Sequence, residues 1–558
     1  MKRKILFILF MLAAGTLLFA NSNSETVVSI EPSWISLLPP LTAITLAMIT
    51  KQAHLSLFLG IVIGACFITG GVWSGITSSL DHYLVKSLAG SESHTAILMF
   101  TMAFGGLIGV MSANGSLKGV LKVASKYATN NFRGQLLTGI MGLVIFFDDY
   151  SNSLLVGNMM RPFTDRVRVS REKLSYLVDS TAAPVASLAA VSTWSIFQMS
   201  LLEAPFATYG ITQSTYVTFL QSIPYSFYCI LAIIFLFLTV IMRKEFGPML
   251  KAETRSQTTG EVLAKNAKPM MDKALVASLD ASKTSHWSNA AIPIALVLGI
   301  TIGGLFITGL NGLAPGDEKS FINIISTSNP NTALIWGSFF AGFTAIAISI
   351  FRGLLNLTDA MDAWINGARS MVMACVILVL AWVIGDICAE IKTAEYIVEL
   401  TKDFLTPALL PPITFITAAL ISFSTGSSWA TMSILVPVTV PMVIQLMGGD
   451  NNVAVQSPIF ISTFAAVLSG SVFGDHSSPI ADTTVLSSTA CGADHIDHVR
   501  TQLPYALVCA AIALFAGYFL TGVGVNVFVC ILAGIGLSVA VLKIFGKTVP
   551  TTVGSFSE

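Results

Sequence analysis

The chain has 558 residues, of which 54% are hydrophobic and only 11% charged; its mean hydropathy is +0.77 and its formal net charge is zero. A soluble globular protein carries about 25% charged residues, so the composition excludes one and describes an all-α polytopic membrane protein. The charge balance leaves no basic footprint for nucleic acid. Seven cysteines (Cys66, Cys229, Cys375, Cys388, Cys491, Cys509 and Cys530) are scattered without a CxxC pair, and all but Cys491 lie in apolar spans. They read as small buried hydrophobes, not as a disulfide framework.

Residues 1–20 read as a signal peptide or an uncleaved anchor. Lys2, Arg3 and Lys4 precede a short apolar core, and the polar run Asn21–Glu25 follows. Leu17 makes an imperfect cleavage site before Ala20. Apolar spans of about 20 residues mark membrane helices. They fall near 35–50, 55–72, 93–112, 174–199, 218–242, 288–308, 332–350, 371–390, 456–473, 501–522 and 524–543. This divides the chain into a first membrane half (21–242), a cytoplasmic linker (243–286), a second membrane half (287–545) and a cytoplasmic tail (546–558). The linker is polar enough to read as a solvated, partly helical loop.

Positive charges orient the chain. Lys118, Lys122, Lys126 and Arg133 cluster in one segment; Arg161, Arg166, Arg168, Arg171 and Lys173 cluster in the next. Both should be cytoplasmic, yet they flank a single apolar stretch. One crossing would separate them, whereas a re-entrant hairpin over 135–163 would not. Its arms would be Gln135–Phe147 and Leu154–Phe163, with Asp148–Ser153 at the tip. A constant shift along the chain carries Gly109 to Gly385, Ala113 to Ala389, Lys126 to Lys402, Thr138 to Thr414, Phe147 to Phe423 and Ser151 to Ser427. A second hairpin is therefore expected over 408–446, with Ser424–Ser428 at its tip. Counting crossings makes the halves inverted repeats, a plan of secondary transporters. The expected architecture is about 11 transmembrane helices plus two re-entrant hairpins.

The first tip offers Asp148, Asp149, Ser151 and Asn152. The second offers Ser424, Thr425, Ser427 and Ser428, with Gly426 between them. Acids inside a membrane are costly and mark ion pathways, and hard cations take oxygen ligands. Two broken helices add Asp179 and Thr181 before Pro184, and Asp475, His476 and Ser478 around Pro479, with Asp482 following. Proline frees backbone carbonyls that an ion can use. A local structural pair is the alternative for Asp475 and His476. Asp386 and Glu390 share one helix face; Asp386 is a weaker candidate, and Glu390 reads as interfacial. Asp494-His495-Ile496-Asp497-His498 resembles a metal motif but reads better as a solvated face. With no HExxH and no Walker A motif, neither a protease nor an ATP-driven pump is indicated, and no enzyme is expected.

The stretches FFDDYSNSLLVGNMMRPFTDRVRVSREKLSYLVDSTAAPVASLAAVSTW, FSTGSSWATMSILVPV and GSVFGDHSSPIADTTVLSSTACGADHIDHVRTQLPYA resemble the NhaC-type sodium/proton antiporter family of the ion transporter superfamily. The resemblance covers about residues 35–540. It implies a multi-pass protein of the bacterial plasma membrane exchanging cytoplasmic sodium for external protons, with no cofactor beyond the transported ions. Desolvation favours a protonated carboxylate and sodium a charged one, so the two ions compete for one site. Sodium is expected at Asp149, Asn152, Asp475 and Asp482, in contact with neither nucleic acid nor any partner beyond the bilayer; a homodimer is left open. Exchange of a small organic acid or amino acid, coupled to sodium or protons, is the alternative.

Overall fold

The structure, a computed structural model, describes residues 31–550 apart from 51, 91, 126, 128, 270–284, 314–318, 320–323, 325–326 and 402–404. The expected signal segment 1–20 and residues 551–558 of the tail lie outside the described residues. Among those described, nine helices are long and apolar enough to cross a membrane, or eleven if each of two bent pairs is one span. The fold is all-α and polytopic.

The labelled helices of the first half are α1 (Leu38–Thr50), α2 (Ala53–Thr69), α3 (Glu92–Ala113), α4 (Asn131–Val144), α5 (Asp149–Arg166), α6 (Arg171–Asp179), α7 (Ala183–Leu188), α8 (Thr193–Ser200), α9 (Thr215–Ser222) and α10 (Phe227–Met242). After α11 (Gly247–Thr259), the second half holds α12 (Ser288–Gly312), α13 (Pro330–Phe351), α14 (Leu357–Ser370), α15 (Val372–Glu390), α16 (Leu410–Thr425), α17 (Ser428–Met447), α18 (Pro458–Ser477), α19 (Asp482–Cys491), α20 (His495–Ile512) and α21 (Val527–Ile544).

Two layers of burial are evident. In α17 and α18 the central apolar window is 83% and 89% buried, against 33% in α12 and 28% in α21. Apolar side chains on the outer helices face out, as membrane helices do where lipid surrounds them. The inner helices carry the polar interruptions, because only there can freed backbone groups find protein partners. Among the described residues, the most extensive helix contact is α16 on α18. A Cβ on Gly474 would stand 2.3 Å from the amide nitrogen of Phe423, so only glycine lets the backbones approach this far. Ser422 Oγ then donates to the Ser471 carbonyl at 2.6 Å.

The first hairpin is closed. Asn131, which opens α4, donates from Nδ2 to the carbonyls of Val167 and Arg168 just past α5, at 3.4 and 3.2 Å. The break is shorter than expected: it spans Ile145–Asp148, and Asp149–Ser153 form the first turn of α5. The reason is local. Asp148 in extended backbone accepts the Ser151 amide at 2.8 Å and so caps the helix that follows. In the second expected hairpin, both of whose arms are among the helices long and apolar enough to cross a membrane, the break is Gly426–Ser427, with Ser427 accepting the Ala430 amide at 3.3 Å.

Two expected spans are bent. The span expected at 174–199 is broken at 180–182 and again at 189–192, with a 48° bend before α8. The span at 218–242 bends by 46° before α10. The linker is also less solvated than its composition suggests. Lys244–Glu245 pair antiparallel with Lys547–Thr548, and α11 buries Met249, Ala252, Glu253 and Ser256 against the body.

Candidate functional site

Each interruption leaves backbone groups without helical partners, and the structure gathers these interruptions together. The first tip docks on α8: the Thr193 amide donates to the Phe147 carbonyl at 3.1 Å, and Thr193 Oγ1 to Asp148 Oδ1 at 3.3 Å. It also meets the break after α6, because Asn152 Nδ2 donates to the Thr181 carbonyl at 2.9 Å. The second tip meets the break after α18. A Cβ on Gly426, whose φ is +69°, would lie 2.7 Å from the Ile480 carbonyl oxygen, so both backbone conformation and space require glycine. Ser428 Oγ donates to Asp475 Oδ2 at 3.3 Å. The two broken helices touch through Ser180 Oγ and His476 Nε2, 2.8 Å apart. Phe197 of α8 stacks on Trp429 of α17 at 4.1 Å between ring centroids.

Four carboxylates collect around this junction. Asp148, Asp149 and Asp475 are nearly inaccessible, whereas Asp482 is exposed at its edge. Tyr150 lies within electrostatic reach of all four, and Asp475 within reach of Asp149, Asp179 and Asp482. Among the described residues, no Lys or Arg forms an ion pair with any of Asp148, Asp149, Asp475 or Asp482. The Trp194 indole N–H is turned toward Asp149 without reaching hydrogen-bond geometry.

Asn152 is the most informative residue. Its Nδ2 donates to three carbonyls, those of Gly142, Ile145 and Thr181, at 2.7, 2.9 and 2.9 Å. That fixes which end of the amide is nitrogen, since the flipped group would set oxygen against three oxygens. Its Oδ1 is fully buried and has no partner. A buried acceptor without a donor costs about 1–3 kcal/mol, and a cation removes that cost.

The other expected residues fall as follows. Ser151 lends its amide to Asp148, and Thr425 Oγ1 accepts the Ser427 amide at 3.3 Å. Ser478 Oγ accepts the Ile480 amide at 3.3 Å and closes the break after α18. Ser424 Oγ turns back to the Leu420 carbonyl of its own helix at 2.8 Å. Both ring nitrogens of His476 are engaged, the second with Tyr228 OH at 2.7 Å, so it straps α18 to α10. Asp179 is buried and accepts from Gln502 Nε2 at 2.6 Å. Asp386 is not brought to the tips. It lies within electrostatic reach of Lys86, Glu390 and Tyr83 instead, and Tyr83 donates to Glu390 at 2.8 Å.

The reading of 494–498 as a solvated face fails at His498, which is fully buried. Three residues beyond His495, it sits one turn deeper in α20. Among the described residues there is no group of three or more His, Cys, Asp or Glu side chains placed to hold a metal ion. Sequence reasoning also missed Thr193, Trp194, Ser487 and Gln502. The polar run Ser192–Ser195 inside an apolar span, and the i, i+4 spacing of His498 and Gln502, were the available signals.

Interrupted helices that meet inside a helical membrane bundle are a plan of secondary transporters. The profile of the Na+/H+ antiporter family matches residues 185–523, and the chain belongs to that family. An uncharacterised protein of Haemophilus influenzae is 32% identical over 87% of this chain and 90% of its own. The arginine/ornithine antiporter ArcD of Halobacterium salinarum is 26% identical over 42% of each chain. The crystal structure of the Alcanivorax borkumensis YdaH transporter shares the fold, with a TM-score of 0.53 at 16% identity over 86% of this chain and 99% of the other.

Proposed function

We propose that this antiporter exchanges cytoplasmic Na+ for external H+ across the bacterial inner membrane by alternating access. The observation that carries the reading is the buried, unpartnered Asn152 oxygen on the helix that Asp148 caps, together with a carboxylate cluster that no lysine or arginine among the described residues pairs with. Asp149, Asn152, Asp475 and Asp482 would supply oxygen ligands to sodium, with Ser428 holding Asp475. Removing water from these acids makes the empty, charged cluster unstable. Either sodium or a proton must offset its charge before the site can turn over, and that requirement couples the two flows. The halves act as inverted repeats in this reading, with the hairpins and broken helices moving against the outer helices.

The test is proteoliposomes carrying a pH gradient and a fluorescent proton probe. Sodium should dissipate the gradient and choline should not. If sodium is inert while a small organic acid, arginine or ornithine dissipates it, the alternative substrate class takes over; the α17 N-terminus at Ser427 and Ser428 would then serve a carboxylate.

A further inference from the structure

A second polar column leaves the carboxylate cluster on the side where the linker docks. His495, half-buried, sets Nε2 2.7 Å from the Pro479 carbonyl and Nδ1 3.1 Å from Ser488 Oγ. His498 sets Nδ1 2.8 Å from the same hydroxyl and Nε2 2.9 Å from Gln502 Oε1. Gln502 spends its Nε2 on Asp179 Oδ2 and the His476 carbonyl, so Oε1 is an acceptor. His498 Nε2 also lies 3.8 Å from Asp179 Oδ2. On the far side, Ser487 Oγ is 3.3 Å from Asp179 Oδ1 and 3.0 Å from Ser153 Oγ, next to Asn152 on α5.

For the two rings alone, before the Thr484 carbonyl is counted, the hydrogen inventory of this column is one short. Pro479 and Gln502 present only acceptors to the two Nε2 atoms, so both must carry hydrogen. In neutral rings both Nδ1 atoms are then acceptors. Ser488 has one hydroxyl hydrogen for the two rings and for the Thr484 carbonyl at 2.7 Å. One added proton resolves the conflict: His495 Nδ1–H donates to Ser488 Oγ, and the Ser488 hydroxyl donates to His498 Nδ1.

We infer that Asp179 and His498 form the proton-carrying site of the exchanger, separate from the sodium ligands and joined to cytoplasmic water through Ser488 and His495. The inference rests on the sodium/proton reading above. In the inward step the proton on His495 Nδ1 passes to Ser488 Oγ as the Ser488 proton passes to His498 Nδ1. His495 returns to neutral and His498 becomes an imidazolium. Its charge faces Asp179 Oδ2 at 3.8 Å, so the proton is held by an imidazolium–carboxylate pair. Release to the cytoplasm is the reverse. A proton held there offsets the Asp179 charge that acts on Asp475, which links the two sites. The charged and titratable groups within electrostatic reach of the relay are Asp475 and His476 from α18, Tyr228 from α10, Cys491 at the end of α19 and Asp494 beside His495. Arg171 bonds the Cys491 and Gly492 carbonyls nearby at 2.7 and 3.1 Å.

The test compares two fluxes in proteoliposomes: sodium-driven proton movement, and isotopic sodium self-exchange, which needs no proton. His498→Gln keeps a hydrogen-bonding side chain but cannot carry a proton; Ser488→Ala breaks the hydroxyl bridge, and Ser488→Thr restores it. The first two should slow sodium/proton exchange at least tenfold, in line with losing a positioned proton carrier. Sodium self-exchange should stay within about twofold, because no sodium ligand is touched. Ser488→Thr should recover most of the rate, and added imidazole should rescue His498→Gln. Unchanged proton flux in His498→Gln overturns the relay while leaving the sodium reading intact. Parallel loss of both fluxes without imidazole rescue shows a structural role and also overturns it. Wild-type vesicles without sodium-driven proton flux overturn the sodium reading and the relay together.

Discussion

At the scale of single residues, the acids were legible and the amide was not. Asp148, Asp149 and Asp475 stand out because a charge in apolar sequence must have a purpose. Asn152 looked like one oxygen donor among several. Only the fold shows that its nitrogen is fixed by three carbonyls, leaving its oxygen buried without a partner. Two substitutions separate the roles. Asp149→Asn should abolish sodium-driven proton flux, since it removes a charged sodium ligand from the cluster. Asn152→Ala removes one sodium ligand and leaves three carbonyls without their donor, so the half-saturating sodium concentration should rise at least tenfold, equivalent to about 1.4 kcal/mol. Sodium titration of proton flux measures both, and an unchanged half-saturation in Asn152→Ala removes the amide from the site.

At the scale of elements, the hairpins were visible because two basic segments could not lie on opposite sides of one span. The break after Asp179 was visible only as a proline. Its mate at 189–192 was not, since Ala189-Ala190-Val191-Ser192 carries no helix-breaking residue. Tertiary contact decides it: the Thr193 amide leaves the helix to bond Phe147. The linker was misjudged for a related reason. Its polar composition hides a buried ion pair, Lys173 Nζ to Glu245 Oε1 at 2.7 Å, with Thr239 Oγ1 2.9 Å from the same nitrogen and Tyr505 OH donating to Glu245. This pair ties α6, which carries Asp179, to the strand after α10. Breaking one partner of a buried pair costs about 3–5 kcal/mol, whereas replacing both with apolar residues is often tolerated. Lys173→Met should therefore lower the melting temperature of detergent-solubilised protein sharply, and Lys173→Met with Glu245→Leu should recover much of the loss. Equal losses in the single and double variants would mean that the pair does not act as a unit.

At the scale of the whole molecule, the linker is fastened to both halves, and its hold on the first should respond to pH. Glu253 of α11 accepts the Ser170 amide at 2.8 Å and Gln135 Nε2 at 3.2 Å, so a single carboxylate joins the linker to the starts of α6 and α4. Burial, and then the neighbouring Glu245 charge, push its pKa up to about 7. The unfolded chain returns it to its ordinary value of 4.5. Between these limits the folded protein holds a proton that the unfolded chain has lost. The contribution is thus fully present below pH 4.5, declines as pH rises, and is gone above about pH 7. Its full size is on the order of 3 kcal/mol. Melting temperatures measured between about pH 5 and 8 should fall with rising pH in the wild type and fall less steeply in Glu253→Gln, which keeps the shape without the charge. Because the clamp grips the starts of both the hairpin and the broken helix, the same substitution should also shift the pH at which exchange is half-maximal. Parallel melting curves for the two proteins across that range would assign the linker's pH response to another group.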